Sequence, residues 1–235
     1  MNLDNVIGTY LREQNELEAQ LHESSGKLSA GQLGKPLLEQ VLKYIGVKQD
    51  PFDDYTLRLF ARGKQVEQWL VDIIAPNQKE QEVVEYRNTV GLVDASVEGI
   101  PHEVKSVKGS QWKWLTKEGA KPSHKLQAGL YALAKDTEKY KIVYVCADDF
   151  RTMVCELNTA DMKPEVDKCI DEFERAIKSR TLPPFVAKEK WQENPKYSSY
   201  SEWISLSPEL AMQKLERENK EAFNKLTKVK ERFKR

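Results

Sequence analysis

Residues 91–107 read GLVDASVEGIPHEVKSV, and three of their side chains, Asp94, Glu103 and Lys105, are of types that do chemistry together. On a strand successive side chains alternate between faces, so Glu103 and Lys105 point the same way while Val104 points into the opposite layer. If the neighbouring strand pairs normally, Asp94 can face the same side, and two carboxylates and an ammonium then converge on one patch. A close pair of carboxylates is costly unless a cation neutralises it. Oxygen ligands with a carbonyl nearby suit magnesium or manganese. The spacing alone leaves a second reading open, a surface ion-pair ladder across the strands.

Two helices bear on the choice. Over residues 57–74, Leu59, Gly63, Val66, Leu70 and Ile74 recur with helical period, and Glu67 falls inside that apolar stripe, where a carboxylate needs a partner. Over 123–136, His124, Gln127, Tyr131 and Lys135 line one side and Leu126, Leu130 and Leu133 the other. The polar stripe faces either solvent or a site.

The elements that must position these residues follow from periodicity and breakers. Residues 3–24 and 30–46 are expected to be helical, joined by the Ser/Gly-rich SSGKLSAGQ, with PFDDYT breaking the pattern before the 57–74 helix. EVVEYR, VGLVDASV and HEVKSV then alternate as a β-meander, with turns at Asn88-Thr89 and Glu98-Gly99. A loop carrying Trp112 and Trp114 leads to a helix that opens near Pro122-Ser123. KIVYVCA and MVCEL read as strands and 161–178 as helix. TLPPF breaks the chain, and Ser207-Pro208-Glu209 starts a last helix with its stripe at Ala222, Leu226, Val229 and Phe233. The order predicts a mixed α/β domain, a central β-sheet flanked by helices. It divides into an N-terminal helical segment (1–56), a core (57–180) and a C-terminal helical appendage (181–235).

Composition narrows the class. The 235 residues carry 37 basic and 37 acidic side chains, so no global basic signature of nucleic-acid binding exists. Locally, residues 220–235 hold seven Lys or Arg against two Glu, and residues 108–121 mix four lysines with two tryptophans. Asymmetry of this kind hints at a polyanionic partner, although a solvated helix face gives the same count. No stretch approaches the roughly 20 consecutive apolar residues of a membrane span, and the N-terminus has no signal-type core. A cytoplasmic protein without membrane association is expected. Cys146, Cys155 and Cys169 are odd in number and lack a CxxC spacing, so buried thiols are expected rather than disulfides or a zinc knuckle. No GxxxxGK[ST] loop is present, and no nucleotide cofactor or ATP-driven unwinding is expected.

GLVD, then EVK nine residues on, then QAGLY, all preceded by a helix containing RGKQVE, resemble the PD-(D/E)XK nuclease superfamily. The Gln-x-x-x-Tyr helix resembles its RecB-type exonuclease branch. The match spans about residues 58–158, and Val93 stands where the family has proline. The resemblance implies a restriction-endonuclease-like core. It implies that Asp94 and Glu103, with the Val104 carbonyl, bind Mg2+ or Mn2+, helped by Glu67 directly or through water. Lys105 would orient or activate the attacking water, and Gln127 and Tyr131 would hold the scissile phosphate or the metal-bound water, with His124 a further phosphate contact. Some relatives carry a cysteine-bound iron–sulfur cluster; SAGQLGKPLLEQ has no cysteine, and no cluster is expected.

The bland readings stand beside these. Glu67 is equally a buried ion-pair partner, His124 a capping-turn or surface histidine, and Trp112 and Trp114 cover the core or stack bases beside Lys108 and Lys113. With four elements in order, a metal site outweighs the ion-pair ladder. The expected function is a metal-dependent deoxyribonuclease acting on DNA ends or single strands in recombination, repair or phage DNA processing, with any helicase or recombination motor supplied by a partner protein. The alternative is an inactive nuclease-fold module that binds nucleic acid or another protein.

Overall fold

The computed structural model describes residues 2–21 and 26–228. Two helices open it, α1 (Leu3–Leu21) and α2 (Leu37–Ile45), followed by α3 (Asp54–Ile74). The expected 30–46 helix is interrupted: Ala30–Gln32 is a single 3-10 turn, and α2 begins only after Pro36. Proline has no N–H to donate and forces the residue before it out of the helical region, which ends the preceding turn. Helix α3 starts earlier than expected because the Asp53 side chain caps it, accepting from the Thr56 amide at 2.7 Å.

The strand-rich block is β2 (Glu82–Tyr86), β3 (Thr89–Val93), β4 (Ala95–Val97) and β5 (Ile100–Val107), with a short β1 (Leu28–Ser29) before them and β6 (Lys139–Cys146) and β7 (Thr152–Asn158) after. It is a mixed α/β fold, but the meander does not run in one sheet. The chain bends at Asp94, leaving β1-β3-β2 as a three-stranded sheet and β4-β5-β6-β7 as a four-stranded one. Strand β1, which is too short to show a period-2 pattern, pairs parallel with β3. In the larger sheet β5 pairs parallel with β6. Strand β4 covers only Ile100 to His102 of β5, so among the described residues one edge of β5 carries no neighbouring strand from Val104 onward.

Helix α3 packs on one face of that sheet, where Val66, Leu70, Val104, Val143 and Val145 share a buried cluster. The other face is covered by α4 (Gly109–Glu118) and α5 (Pro122–Ala134), with Leu115, Ala128, Ala132, Ile142 and Tyr144 between them. Trp112 and Trp114 therefore lie on a helix and not in a loop. Gly119, at φ +76°, ends that helix in a conformation that side chains disfavour. Helix α6 (Thr159–Ser179) and then α7 (Pro208–Glu218) and α8 (Lys220–Thr227) join α2 around the largest core, which includes Leu42, Phe173, Ile177, Leu215 and Leu226. The single C-terminal helix read from the sequence is divided because the Asn219 side chain caps a new start, accepting from Ala222. Ala222 and Leu226 are buried as expected; Val229 and Phe233 lie outside the described residues. Cys146 is in β6, Cys155 in β7 and Cys169 in α6, all free thiols. Among the described residues no helix is long and apolar enough to cross a membrane.

Candidate active site

Strand β5 organises the site because its residues have three kinds of neighbour. Side chains at Glu103 and Lys105 lie on the α5 face and Val104 on the α3 face, as alternation requires. Along the open edge the backbone groups of Val104 and Ser106 are the ones left without a strand partner, and two acids take them up. Asp94 Oδ2 accepts the Val104 amide at 2.9 Å, and Glu67 Oε1 accepts the Ser106 amide at 2.8 Å. A buried amide left unbonded costs about 1 to 3 kcal/mol, so these carboxylates finish the edge as well as charging it. The Val104 carbonyl points to the same edge as its amide.

Asp94 is fixed at the sheet junction by two glutamines that sequence reading did not single out. Gln81 Nε2 donates to Asp94 Oδ1 at 2.7 Å, and Gln78 Nε2 donates to the Asp94 carbonyl at 2.9 Å. Both belong to the polar loop before β2, where nothing in composition or period marks them.

Glu103 is completely buried, 0% exposed. Lys105 forms an ion pair with it, yet neither carboxylate oxygen has a well-formed hydrogen bond. Burial pushes Glu103 up to about 8; Lys105 opposes that rise and Asp94 adds to it. Asp94 is raised too, by burial, against the pull of Lys105 and the Val104 amide. For Lys105, burial favours the neutral amine, but the Glu103 and Asp94 carboxylates outweigh it and hold the ammonium above its ordinary range. The site thus sets two acids that resist ionising around one cation that resists losing its proton.

Helix α5 supplies the remaining groups. Gln127 Nε2 donates to the Tyr131 hydroxyl at 2.8 Å, and that hydroxyl lies against Glu103. Tyr131 is raised by burial and by Glu103. Its ring needs Gly91 of β3, where an added Cβ would collide with the ring carbons. At the start of α5, His124 Nδ1 is 2.9 Å from the Tyr144 hydroxyl, which also accepts the Lys121 amide. Burial, with Lys105 and Lys121 nearby, pushes His124 down to about 3. It is a neutral ring at physiological pH, so any phosphate contact it makes is not an ionic one.

The structure therefore brings together Asp94, Glu103, Val104, Lys105 and Tyr131, with Gln127 behind Tyr131. Glu67 stands apart. Its carboxylate is engaged at Ser106, and among the described residues no three His, Cys, Asp or Glu side chains converge as a metal cluster; Glu67 reaches the site through its field at Lys105. Two positions on one helix separated by two residues are about 200° apart, so Trp112 and Trp114 cannot share a face. Trp112 packs toward the core beneath Arg151, whose guanidinium is 4.9 Å from the ring centroid. Trp114 is exposed and lines a cleft of about 780 Å3 together with Lys105, His124 and Gln127. Lys108 lines a smaller cleft of about 320 Å3 with Glu67 and donates to the Tyr55 hydroxyl at 2.9 Å. Lys113 is exposed and lines neither.

The donor set fits a hard divalent cation. It is all oxygen, and it holds a fully buried carboxylate whose neighbours are the Lys105 ammonium and the Tyr131 hydroxyl. It offers two carboxylates and one main-chain carbonyl, leaving the rest of the shell to water as magnesium prefers.

No protein-family model matches the chain, and no curated protein does. Among solved structures it is similar to an alkaline exonuclease, LHK-Exo from Laribacter hongkongensis, at 16% identity and a TM-score of 0.45, covering 66% of this chain and 91% of that one. The complex of LHK-Exo with dAMP gives 15% identity and 0.49 over the same shares. SSO0001 gives 17% identity and a TM-score of 0.51, covering 85% of this chain and 96% of that one. The likeness to SSO0001 is one of fold, a mixed α/β core whose sheets are flanked by helices.

Proposed function

We propose that this chain is a metal-dependent DNA nuclease of the PD-(D/E)XK superfamily, RecB-type branch, hydrolysing phosphodiester bonds at DNA ends or in single strands. The observation that carries the reading is the convergence of Asp94, Glu103 and Lys105 on one stretch of β5, with the Val104 carbonyl on the strand edge that Asp94 caps. A surface ion-pair ladder does not require a fully buried carboxylate. Desolvating such a group costs several kcal/mol, a large fraction of a domain's net stability, and a structural role would be met more cheaply by an apolar residue.

Asp94, Glu103 and the Val104 carbonyl would hold Mg2+ or Mn2+, which when bound supplies a Lewis acid for a phosphoryl oxygen and a more acidic water. Lys105, held protonated by the two carboxylates, orients the attacking water and balances charge on the phosphorane-like transition state. Gln127 fixes the Tyr131 hydroxyl, and the pair positions the phosphate or the water beside Glu103. Recombination, repair or phage DNA processing is the setting such an activity suits, with a partner protein supplying any motor.

The test is digestion of 5′-labelled and 3′-labelled linear strands beside a covalently closed duplex circle, with magnesium. The reading expects the linear strands to be degraded and the circle to survive. Rapid cutting of the circle at discrete sites, with linear ends left whole, contradicts it.

A further inference from the structure

The larger cleft has a second wall that the nuclease motifs do not touch. Facing Trp114 of α4 and Lys121, the residue before α5, are Lys35, from the segment before α2, and Trp191 and Tyr197, from the 3-10 turns Lys190–Glu193 and Pro195–Tyr197. Trp114, Trp191 and Tyr197 are 47%, 45% and 55% exposed. Fully burying a large apolar side chain contributes roughly 1.5 to 3 kcal/mol, so three exposed aromatics in one concavity forgo stability that a ligand would recover.

This wall is built and not merely loose chain. Gln192 Nε2 donates to the Gly34 carbonyl at 3.0 Å and Lys188 Nζ to the Leu33 carbonyl at 2.8 Å, tying the late segment to the early one. Gly34 is itself pressed against Ser123, where any Cβ would collide, so the early segment seats directly on the start of α5 and the late one is held through it. Trp191 Nε1 donates to Glu189 at 3.0 Å, and the Trp191 and Tyr197 rings meet edge to face with centroids 6.1 Å apart. The indole is thereby held in one orientation.

The charges match a phosphate chain. Lys35 Nζ lies 5.8 Å from the Trp191 ring centroid. Among the described residues neither Lys35 nor Lys121 forms an ion pair, and the Lys35 ammonium acts on the buried Glu39 carboxyl only through its field. Glu189 is, among the described residues, the one acid lining the cleft; it accepts from the Trp191 indole and keeps its charge, against three lining ammonium groups at Lys35, Lys105 and Lys121. Aromatic faces interleaved with unpaired ammonium groups are what an unpaired strand needs, because every base has a π-face and every phosphate a charge. A volume of about 780 Å3 is that of an enclosing ligand pocket, room for a few nucleotides of one strand and not for a duplex.

We infer that this cleft is a two-walled clamp for single-stranded DNA, with bases stacked on Trp114 and Trp191 and phosphates against Lys35 and Lys121, leading the strand to Lys105. The inference rests on the nuclease reading for its direction but not for its chemistry. It makes Trp191, Tyr197 and Lys35 determinants of single-strand preference.

The probe is a labelled oligothymidylate about twelve nucleotides long, titrated in chelator so that no cleavage intervenes, with a blunt duplex of equal length beside it. Trp191→Ala is expected to weaken single-strand binding at least about fivefold, the lower end of a stacking loss of roughly 1 to 3 kcal/mol per base. Trp191→Phe should stay close to the parent, Lys35→Ala should flatten the salt dependence, and duplex binding should be unmoved. If Trp191→Ala melts early, Tyr197→Ala and Lys35→Ala carry the same test. Parent-like affinity for the single strand in folded Trp191→Ala and Lys35→Ala overturns the clamp, and leaves the nuclease reading standing if cleavage still requires Asp94. Tight strand binding that is lost in Trp191→Ala, by a parent protein that never cleaves with magnesium, upholds the clamp and overturns the nuclease.

Discussion

Gln127 donates to the Tyr131 hydroxyl at 2.8 Å, one turn along the same helix, and through that bond the outer end of the α5 stripe is connected to the fully buried Glu103. The two faces of α5 should therefore fail differently. Gln127→Ala and Tyr131→Phe are expected to lower activity per folded molecule with little change in melting temperature. Leu130→Ala, at a site with 0% exposure, is expected to cost about 2 to 5 kcal/mol of stability with residual activity kept per folded molecule. Thermal melts beside rate measurements on the soluble fraction check both.

Gly91 is the counterpart of Tyr131 across the helix–sheet contact, since any Cβ at 91 enters the space of its ring. Gly91→Ala must displace the ring and with it the hydroxyl beside Glu103. Misplacing a reacting group by about an ångström costs on the order of a hundredfold in rate, so activity should fall roughly ten- to hundredfold while circular dichroism stays native-like.

Lys105→Ala should act on turnover. The ammonium is held protonated by Glu103 and Asp94, and its interaction grows as charge develops on the phosphoryl oxygens. A loss of about 10² to 10³ in single-turnover rate is expected, with oligonucleotide affinity in chelator changed only a fewfold. A rate equal to the parent's removes Lys105 from the chemistry.

Stability in the absence of metal should depend on pH with a definite sign. Glu103 sits near 8 in the folded chain against 4.5 when free, and Asp94 is also raised, so between these values the folded state binds more protons than the unfolded one. Stability must then fall as pH rises. His124, lowered from 6.5 to about 3, works in the opposite direction, but only below its free value. Lys105 stays charged in both states through the window. From about pH 6.5 to 8 the carboxylates decide, at up to about 1.4 kcal/mol per pH unit for one proton. Melting temperature in chelator should drop across that range, Glu103→Gln should flatten the drop, and added magnesium should stabilise more at pH 8 than at pH 6.5. A flat chelator profile contradicts the assignment.

Much of this was legible because it is local. The alternation that puts Glu103 and Lys105 on one face, the helical period that puts Gln127 beneath Tyr131, and the strands β5 and β6 all lie within short windows of sequence. What was not legible is long-range. The bend at Asp94, where the sheet divides, is bonded by Gln78 and Gln81, which no pattern marks. The apolar stripe of α3 called for a partner at Glu67, and a place for it at the metal, directly or through water, came only from the family resemblance. The stripe fixes its face but not its height along β5, and the carboxylate lands at Ser106. Trp191 and Lys35 are brought to one cleft by hydrogen bonds from Lys188 and Gln192 to Leu33 and Gly34, across more than 150 residues of chain. Gly119 was the available signal that Trp112 and Trp114 precede a helix end and are not in a loop.

The most direct test of the central claim is cleavage of a labelled linear strand by the parent, Asp94→Asn and Glu103→Gln, each after chelator treatment and again after magnesium is restored, with the fold of each confirmed by melting. The account predicts cleavage by the parent only with magnesium. It predicts a fall of at least about two orders of magnitude in both folded variants, because each loses the ligand charge on which the site depends. Full activity of Asp94→Asn with magnesium restored, or cleavage by the parent in chelator, would contradict it.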